Sequence, residues 1–417
     1  MDILEAKQLV IHAGKKLVEA GLIARTWGNV SCRVSDDSFV ITPSGRDYES
    51  LTPDEIVEVA ISDLAWSGDV KPSSEKGIHA AAYKLRPQCG FVIHTHQINA
   101  SAVCVLSGGI DSLTGRSAEI IGGCVPLASY GLPGTGKLRK GVSAAIAGCE
   151  SKAILMAHHG AVCIGDDYDD AFAVAAELET VCKKFVLGKA EQAFGAAVDT
   201  FEAAAHLVAS SVKKPCYEAP GFRGGVRYDS ERTGDGFDLI PHGGGERITV
   251  TGADRATLTD DYAGKYGNIL IAELYDGVYA SRPDINYIIH SDSLVLDEVS
   301  RMMIKLRPRL DDFAQLVGVN VRTVEAAFPY KKPGDGKKYV RAMKGRNALL
   351  LYNGGAICAA GDKSDAEAVE MVLEKEAKAE VAARVAGIKG GYISRFDARL
   401  MRIIYKLKYS KQKDAGK

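Results

Sequence analysis

The chain has 417 residues and a net charge of -1; 46% of its residues are hydrophobic and 25% are charged. Such a composition is typical of a globular protein with two or three domains, and it gives no support for general polyanion binding. Nine cysteines without a C-x-x-C spacing argue against a disulfide framework. No secretory leader pattern and no run of about 18 apolar residues occurs, so we expect a cytoplasmic protein with no membrane or nucleic-acid partner.

The first elements form a helix followed by strands. Residues 4–20 place apolar side chains at helical spacing, and Gly21 is a suitable residue to end that helix. A Gly-Asn turn leads into a strand up to residue 34, and residues 38–42 and 57–61 predict two further strands.

Residues 71–96 combine a helix start with a His-x-His pair. Ser73 or Ser74 can cap a helix, and Glu75 is expected in its first turn. His94 and His96 come at the end of a short apolar run. Because alternate residues of a strand share one face, their two imidazoles suit a single metal ion.

A third histidine follows a second apolar strand. Residues 107–137 read as Gly-rich turns with a strand near 123–127, and residues 151–157 predict the strand that precedes His158-His159-Gly160. A hairpin partner at 161–165 and a long helix from about 169 to 187 come next. Since consecutive strand residues face opposite ways, only one of the two histidines can reach the ion, and either one fits the pattern.

Three imidazoles with an open fourth position are typical of a catalytic divalent metal, usually zinc. A carboxylate beside such an ion suggests proton transfer at a carbon next to a carbonyl, with Glu75 as the acid or base. The isolated histidines His12, His79, His206 and His242 are interpreted as having no functional role.

Three turns of small residues can bind an anion. They are Gly28-Asn29, Ser44-Gly45 and Ser73-Ser74, and each offers backbone N–H groups or hydroxyls as donors. Together they predict a phosphorylated substrate.

Internal similarity predicts that the chain contains two copies of one domain. The paired segments, in the same order in each half, are 86–96 with 282–292, 152–163 with 347–358 and, more weakly, 51–54 with 258–261. We therefore expect domains at 1–195 and 196–417, the second ending in a basic, frayed tail from Arg402 onward.

The second copy has lost the polar residues of the first. His290 matches His94, but the counterparts of His96, His159 and Glu75 are Asp292, Gly354 and Ile271, and Gly221–Arg227 lies opposite Gly28-Asn29. We interpret this copy as a structural or interface domain; the alternative is a binding site for a different ligand.

The combination Gly28-Asn-Val-Ser31, Thr42-Pro-Ser-Gly45, Pro72-Ser-Ser-Glu75, His94-Thr-His96 and His159-Gly160 resembles the class II aldolase/adducin family over residues 3–190, and faintly in the second half. The resemblance implies an α/β fold with α/β/α layers around a mainly antiparallel sheet, here in two tandem copies. It also implies the following roles: metal ligands His94, His96 and His159, catalytic acid/base Glu75, and phosphate-binding residues Gly28, Asn29, Ser44, Gly45, Ser73 and Ser74.

The resemblance implies a cytoplasmic, homo-oligomeric lyase that uses Zn²⁺ or another divalent metal. The expected reaction is cleavage of a sugar 1-phosphate into dihydroxyacetone phosphate and an aldehyde. Aldolases of the family place a Tyr ahead of a Gly-Gly pair, and Arg116–Gly123 contains none. A sugar-phosphate dehydratase or epimerase of the same family is therefore the alternative, and a non-catalytic, adducin-like interaction protein is a third possibility.

Overall fold

The computed structural model describes residues 1–23, 27–212, 226–251, 269–325 and 337–415. They form two compact units, Met1–Ala197 with Ala382–Gly391 and Val198–Val381 with Tyr392–Lys417. The domain boundaries expected from the repeats, 1–195 and 196–417, stay a prediction. None of the described helices is long and apolar enough to cross a bilayer.

The first unit contains a seven-stranded sheet in the order β3-β2-β1-β4-β7-β6-β5. All neighbours are antiparallel except β5 and β6. Its strands are β1 (Gly28–Arg33), β2 (Ser38–Ile41), β3 (Val57–Ala60), β4 (Phe91–Thr95), β5 (Leu127–Ala128), β6 (Ala153–Met156) and β7 (Gly160–Gly165). Its helices are α1 (Ile3–Glu19), α2 (Lys76–Leu85), α3 (Ile98–Val103), α4 (Gly115–Ile121), α5 (Gly136–Gly148) and α6 (Tyr168–Phe194).

The core of the first unit explains why these segments adopt their structures. Every residue of β4 and β7 is buried, which is typical of central strands that are covered on both faces. Helices α2 and α5 pack on each other, and their apolar side chains, including Tyr83 and Leu138, join those of the strands in one cluster. The predicted strand with the two histidines therefore lies in the middle of the sheet.

The second unit contains an eight-stranded sheet in the order β10-β9-β8-β11-β15-β14-β13-β12. Its strands are β8 (Tyr228–Thr233), β9 (Gly236–Pro241), β10 (Ile248–Val250), β11 (Tyr287–His290), β12 (Lys305–Leu306), β13 (Val321–Val324), β14 (Ala348–Leu351) and β15 (Gly355–Ala360). Its helices are α7 (Phe201–Ser211), α8 (Ile269–Ser281), α9 (Leu294–Arg301), α10 (Lys337–Met343), α11 (Lys363–Val385) and α12 (Arg395–Ala415), with a π-helical turn at Phe313–Val317.

One set of contacts occurs in both units. In the first, the Arg33 guanidinium donates to the carbonyls of Tyr83 and Cys89 and lies 4.9 Å from the Tyr83 ring centroid. In the second, the Arg232 guanidinium donates to the carbonyls of Tyr279 and Ile285 and lies 4.7 Å from the Tyr279 ring centroid. The Arg and Tyr occupy equivalent strand and helix positions.

The structure corrects two expectations about local structure. The Gly-rich segment 107–137 contains α4, and its predicted strand near 123–127 is reduced to Leu127–Ala128. The tail from Arg402 belongs to α12, and the Arg402 side chain is buried because it donates to the Gln315 and Leu316 carbonyls. In the second unit Ser230 pairs with Ile288, and continuing this register puts Tyr228 at the position of Asn29 and Arg227 at that of Gly28. Arg227 is the last residue of the segment expected there. Residues 221–225 of that segment lie outside the described residues, and so does the weaker repeat segment 258–261.

Candidate active site

Three histidines meet at one end of the central strands of the first unit. His94 lies on β4, His96 follows the end of that strand, and His159 is in the turn between β6 and β7. Their candidate ligand atoms all lie within 4.8 Å of one another. Among the described residues, these three histidines form the cluster of potential ligand side chains that could hold a metal ion.

The tertiary structure decides between the two consecutive histidines. His159 lies in the cluster, with its ring stacked on that of His94 at a centroid distance of 5.0 Å. His158 adopts a φ of 65° and its ring contacts Tyr130 instead, at 5.4 Å between centroids. The left-handed backbone at His158 separates the two side chains, and His159 is the candidate ligand.

The donor set fits a divalent metal such as zinc. The Nδ1–H of His94 donates to the Ala161 carbonyl at 2.8 Å, because a carbonyl oxygen can only accept. This bond leaves the Nε2 lone pair directed toward the cluster. Two nitrogens bound to one tetrahedral zinc ion lie about 3.3 Å apart. The Nε2 atoms of His94 and His96 are 3.1 Å apart, in agreement with that spacing.

Glu75 directs its carboxylate at this cluster. Its Oε1 lies 3.0 Å from His159 Nε2, and its Oε2 lies 3.2 Å from His94 Nε2. Burial opposes ionisation of Glu75, but the adjacent imidazoles of His159 and His94 outweigh it and hold the pKa of Glu75 well below its ordinary value. The side chain is therefore an anionic base placed against the three histidines.

Glu75 lies one step earlier relative to helix α2 than expected. The sequence predicts it in the first helical turn, but it precedes α2 as the N-cap residue, with φ -102° and ψ 10°. Its N–H donates to Ser73 Oγ at 3.2 Å. This non-helical backbone turns the carboxylate away from the helix and toward β4.

A buried chain of hydrogen bonds orients the groups next to Glu75. Asn29 Nδ2 donates to Glu75 Oε2 at 3.2 Å, and Asn29 Oδ1 lies 2.5 Å from His79 Nε2. On its other side, His79 Nδ1 lies 2.6 Å from Ser31 Oγ, which lies 2.7 Å from the Tyr83 hydroxyl. Burial and the nearby His94 lower the pKa of His79 to about 3, so its ring is neutral.

These contacts fix the direction of every bond in the chain. Asn29 Oδ1 can only accept, so His79 carries its proton on Nε2 and accepts from Ser31 through Nδ1. The sequence analysis gave His79 no role, which was wrong because His79 contacts Asn29 at the site. The available signal was the four-residue spacing of Glu75 and His79, which suits one face of the start of α2.

The three small-residue turns lie side by side near Glu75. Ser44 N–H donates to the Lys71 carbonyl and Ser73 N–H donates to the Thr42 carbonyl, which joins the second and third turns. Val30 N–H donates to Thr42 Oγ1 at 3.2 Å, which attaches the strand of Gly28 and Asn29. Since two backbone N–H groups are used in these contacts, the donors left for a ligand include the hydroxyls of Ser44 and Ser74, both in exposed residues.

Gly28 and Gly45 have the left-handed backbone that such turns require, with φ values of 119° and 73°. At Gly28 a Cβ would lie 2.6 Å from the His94 carbonyl oxygen, so the strand that carries His94 can approach only a glycine. A cavity of about 200 Å³ adjoins this region and is lined by Ser74, Glu75, Thr135 and Arg139 among others.

The equivalent place in the second unit has different chemistry. His290 is fully buried, and its Nε2–H donates to the Gly354 carbonyl at 2.8 Å. Gly354 is the residue that matches His159. A candidate ligand in the first unit is therefore replaced by a backbone acceptor in the second. Burial lowers the pKa of His290 to about 3, and Asp292 is exposed.

A sequence profile of the Class II Aldolase and Adducin N-terminal domain matches the chain in two segments, residues 8–186 and 271–382. The first segment contains the three histidines, Glu75 and the three turns. The second contains His290 and Gly354. Both units therefore carry recognisable family sequence, and the polar cluster occurs in the first.

Named relatives match less than half of this chain. A 5-methylthioribulose-1-phosphate/5-deoxyribulose-1-phosphate aldolase of Escherichia coli O45:K1 is 35% identical over 191 residues, which is 45% of this chain and 85% of the relative. The L-fuculose phosphate aldolase of Escherichia coli K12 is 33% identical over 177 residues, 42% of this chain and 80% of the relative. A 3-oxo-tetronate 4-phosphate decarboxylase of Haemophilus influenzae is 30% identical, with 44% and 89% covered. A solved L-fuculose 1-phosphate aldolase superposes with a TM-score of 0.42 at 30% identity, covering 47% of this chain and 90% of that one.

Proposed function

The chain belongs to the class II aldolase and adducin family, and from that premise we propose that its first unit is a metal-dependent aldolase. The proposed reaction cleaves a sugar 1-phosphate into dihydroxyacetone phosphate and an aldehyde. The observation that carries the proposal is the Glu75 carboxylate, 3.0 and 3.2 Å from two of three clustered imidazoles. A base at that distance from the proposed metal ligands can act on a carbon beside a bound carbonyl.

His94, His96 and His159 would hold the metal ion through their ring nitrogens. When bound there, a divalent cation such as Zn²⁺ would polarise the substrate carbonyl and stabilise negative charge on its oxygen. The Glu75 carboxylate accepts the proton of the hydroxyl on the carbon that becomes the aldehyde; as the carbon–carbon bond breaks, the aldehyde is released and a carbanion equivalent is left on the three-carbon fragment. The protonated Glu75 carboxyl returns a proton to that carbon and becomes the carboxylate again.

The substrate phosphate is assigned to the three turns at Gly28-Asn29, Ser44-Gly45 and Ser73-Ser74. Their contacts with one another make one polar surface beside Glu75, and the hydroxyls of Ser44 and Ser74 are available donors. The second N–H of the Asn29 amide is available for the same purpose, because the first is directed at Glu75. Holding the phosphate here would keep the reacting carbon within reach of the carboxyl.

For the rest of the molecule we propose a structural or interface role for the second unit, as a degenerate copy of the first with α/β/α layers in each. The repeated Arg–Tyr contacts and the two family matches support the duplication. We also propose a homo-oligomer and a cytoplasmic location. The described cysteines are all free thiols, which is in keeping with a reducing compartment.

A dehydratase or epimerase acting on a related sugar phosphate is the second candidate. It is favoured by the sequence of α4, Gly115–Ile121, which contains no Tyr to act as a second proton carrier. A non-catalytic, adducin-like role is the third candidate, and the complete set of three histidines and Glu75 argues against it.

The test uses zinc-loaded protein and three candidate substrates: 5-methylthioribulose 1-phosphate, 5-deoxyribulose 1-phosphate and L-fuculose 1-phosphate. We expect dihydroxyacetone phosphate and an aldehyde from at least one, measured by mass spectrometry. Glu75→Gln should lower turnover by about 10²- to 10⁴-fold with the zinc content unchanged. Glu58→Gln, on the exposed face of β3, is the matched control and should keep full activity.

A second measurement isolates the proton-transfer step. In D₂O the protein should exchange one carbon-bound hydrogen of dihydroxyacetone phosphate, and Glu75→Gln should abolish this exchange. Loss of water or epimerisation without carbon–carbon cleavage would select the second candidate. Protein that binds no stoichiometric divalent metal and processes none of the three substrates would select the non-catalytic one.

A further inference from the structure

A basic pocket lies in the second unit, and none of its lining residues is assigned to catalysis. Its volume is about 250 Å³, and four cationic side chains line it together with the buried Asn320. The four are Lys305 on β12, Arg307 just after that strand, and Arg395 and Arg399 in the first turns of α12. We call this group the β12–α12 pocket.

No carboxylate among the described residues pairs with the cations of the β12–α12 pocket. Within the described ranges, no residue that lines it is acidic, and none of its four cations has a carboxylate within 4.0 Å. Asp397 lies between Arg395 and Arg399 in the sequence but does not line the cavity. Most arginines of this unit, by contrast, are paired or bound to carbonyls; the Arg309 side chain, for example, donates to Glu380 at 2.7 Å.

The like charges also affect one another. Burial, together with repulsion from Arg322, Arg346, Arg395 and Arg307, lowers the pKa of Lys305. Such a cluster opposes folding unless an anion relieves the repulsion. Among the described residues no carboxylate offsets this repulsion, so a bound anion would relieve it.

Two further features suit an anion with a defined shape. Arg307 lies over the Tyr392 ring, 4.4 Å from its centroid, which fixes the plane of the guanidinium and leaves its N–H edge free of the ring. The pocket also adjoins the N-terminal end of α12, a helix of 21 residues whose dipole favours negative charge; its Asp397 N–H already donates to Ser394 Oγ at 3.0 Å.

Asn320 adds a neutral polar group of fixed orientation. Its carbonyl and its Oδ1 accept from the Arg346 guanidinium at 2.8 to 3.1 Å. With Oδ1 held in this way, the Asn320 amide cannot flip, and its orientation within the pocket wall is defined.

We propose that the β12–α12 pocket binds a small phosphorylated ligand with at least two negative charges, such as a diphosphate or a compound that carries a diphosphate group. The volume equals that of about eight water molecules, which suits two phosphoryl groups better than a macromolecule. Three forked guanidinium groups and an ammonium match the oxygens of a diphosphate. The site is independent of the proposed aldolase chemistry and would make the second unit a ligand-binding domain.

Calorimetric titration of the full chain with inorganic pyrophosphate, and with inorganic phosphate for comparison, tests the proposal. The pocket variant is Lys305→Gln/Arg395→Gln/Arg399→Gln, all at exposed residues. The matched control is Arg341→Gln/Lys344→Gln/Lys363→Gln, which removes the same charge from exposed positions of the same unit outside the pocket. A third variant, Ser44→Ala/Ser73→Ala/Ser74→Ala, disables the phosphate turns of the first unit.

We expect the pocket variant to lose one class of pyrophosphate sites, with affinity reduced at least about tenfold, since a charge-assisted hydrogen bond contributes that factor or more. The charge control and the Ser variant should retain that class. Pyrophosphate should raise the Tm of the wild type and of the charge control but not that of the pocket variant. Because the proposed aldolase uses none of the three residues, its activity should persist in the pocket variant.

Three results would overturn the proposal. They are unchanged binding in the pocket variant, an equal loss in the charge control, and loss of all binding in the Ser variant, which would place every phosphate site in the first unit. Loss of aldolase activity in the Ser variant alone would bear on the first unit and leave the pocket result intact. A far-ultraviolet circular dichroism spectrum like that of the wild type verifies that the pocket variant is folded.

Discussion

Replacing His79 by Leu tests whether the buried chain of hydrogen bonds positions Glu75. His79 is fully buried and contacts Asn29 Oδ1 at 2.5 Å and Ser31 Oγ at 2.6 Å. Leucine fills a similar volume but makes neither bond, so two buried polar atoms lose a partner. Each such loss costs about 1–3 kcal/mol, or about 2–6 kcal/mol of stability in total. A domain with 5–15 kcal/mol of stability remains largely folded at 25 °C unless both values lie at their unfavourable ends.

The expected effect on turnover follows from Asn29. Without His79, the Asn29 amide is free to rotate, and Glu75 loses the donor 3.2 Å from its Oε2. Partners of this kind, one step removed from a metal centre, typically change activity by about 10- to 100-fold, so we expect kcat to fall within that range. KM should change less, because the hydroxyls of Ser44 and Ser74 are untouched.

His79→Gln is the conservative variant, since its amide can donate to Asn29 and accept from Ser31. It should recover most of the lost kcat, whereas His12→Leu, at an exposed position on α1, should have no effect. The assay is initial-rate release of dihydroxyacetone phosphate, with zinc content and Tm measured on the same samples. Equal activity of His79→Leu and the wild type would refute the positioning role. So would a loss that follows the folded fraction or the bound zinc.

Three further predictions concern the metal, the phosphate turn and the second unit. His159→Asn should lower bound zinc and turnover by at least about 100-fold, while His158→Asn should change neither. Asparagine at 158 accepts the left-handed backbone, as Asn353 does at the equivalent position with a φ of 56°. Zinc content by elemental analysis and reaction rates compare the two variants, and equal losses in both would contradict the choice of His159 as the ligand. Gly28→Ala should cost about 1–3 kcal/mol in denaturant unfolding, since its φ is 119° and its Cβ would meet a backbone oxygen; unchanged stability would contradict this. The pKa of His290 is lowered from 6.5 to about 3, so the unfolded chain binds a proton that the folded chain does not, and the free energy of unfolding falls by about 1 kcal/mol per pH unit as the pH drops through that window. His290→Gln should remove this contribution to the pH dependence between pH 7 and pH 5. Parallel curves of unfolding free energy against pH for the variant and the wild type would refute it.

The family motifs could be read from the sequence because each depends on local geometry. A His-x-His pair at the end of a buried strand places two rings on one face whatever surrounds them, and the structure brings His94 and His96 to 3.1 Å between their Nε2 atoms. The hairpin after His159 and the long helix that follows were also evident from periodicity, and they are β7 and α6. The roles of the site residues stay predictions until the variants are measured.

Errors arose where local signals were ambiguous or where the partner is distant in sequence. Glu75 is favoured by residue type in a first helical turn, and only its φ and ψ show that it is the N-cap residue. His79 reads as a buried helix residue because its partner Asn29 precedes it by 50 residues. Glycine-rich sequence suggested turns at 107–137, but helix α4 forms there because tertiary packing against α6 overrides the low helix propensity.

The sequence alone determined the duplicated family pattern, the His-x-His pair and the lack of counterparts to His96, His159 and Glu75 in the second copy. All three follow from residue identity and short-range spacing. Between His158 and His159 the spacing left both open and the resemblance favoured His159, which the structure places in the cluster. Only the tertiary structure decided the direction of the hydrogen bonds from Tyr83 to Glu75 and the convergence of four cations at the β12–α12 pocket. These features join residues that are far apart in the chain or depend on a single backbone angle, and neither is encoded in periodicity.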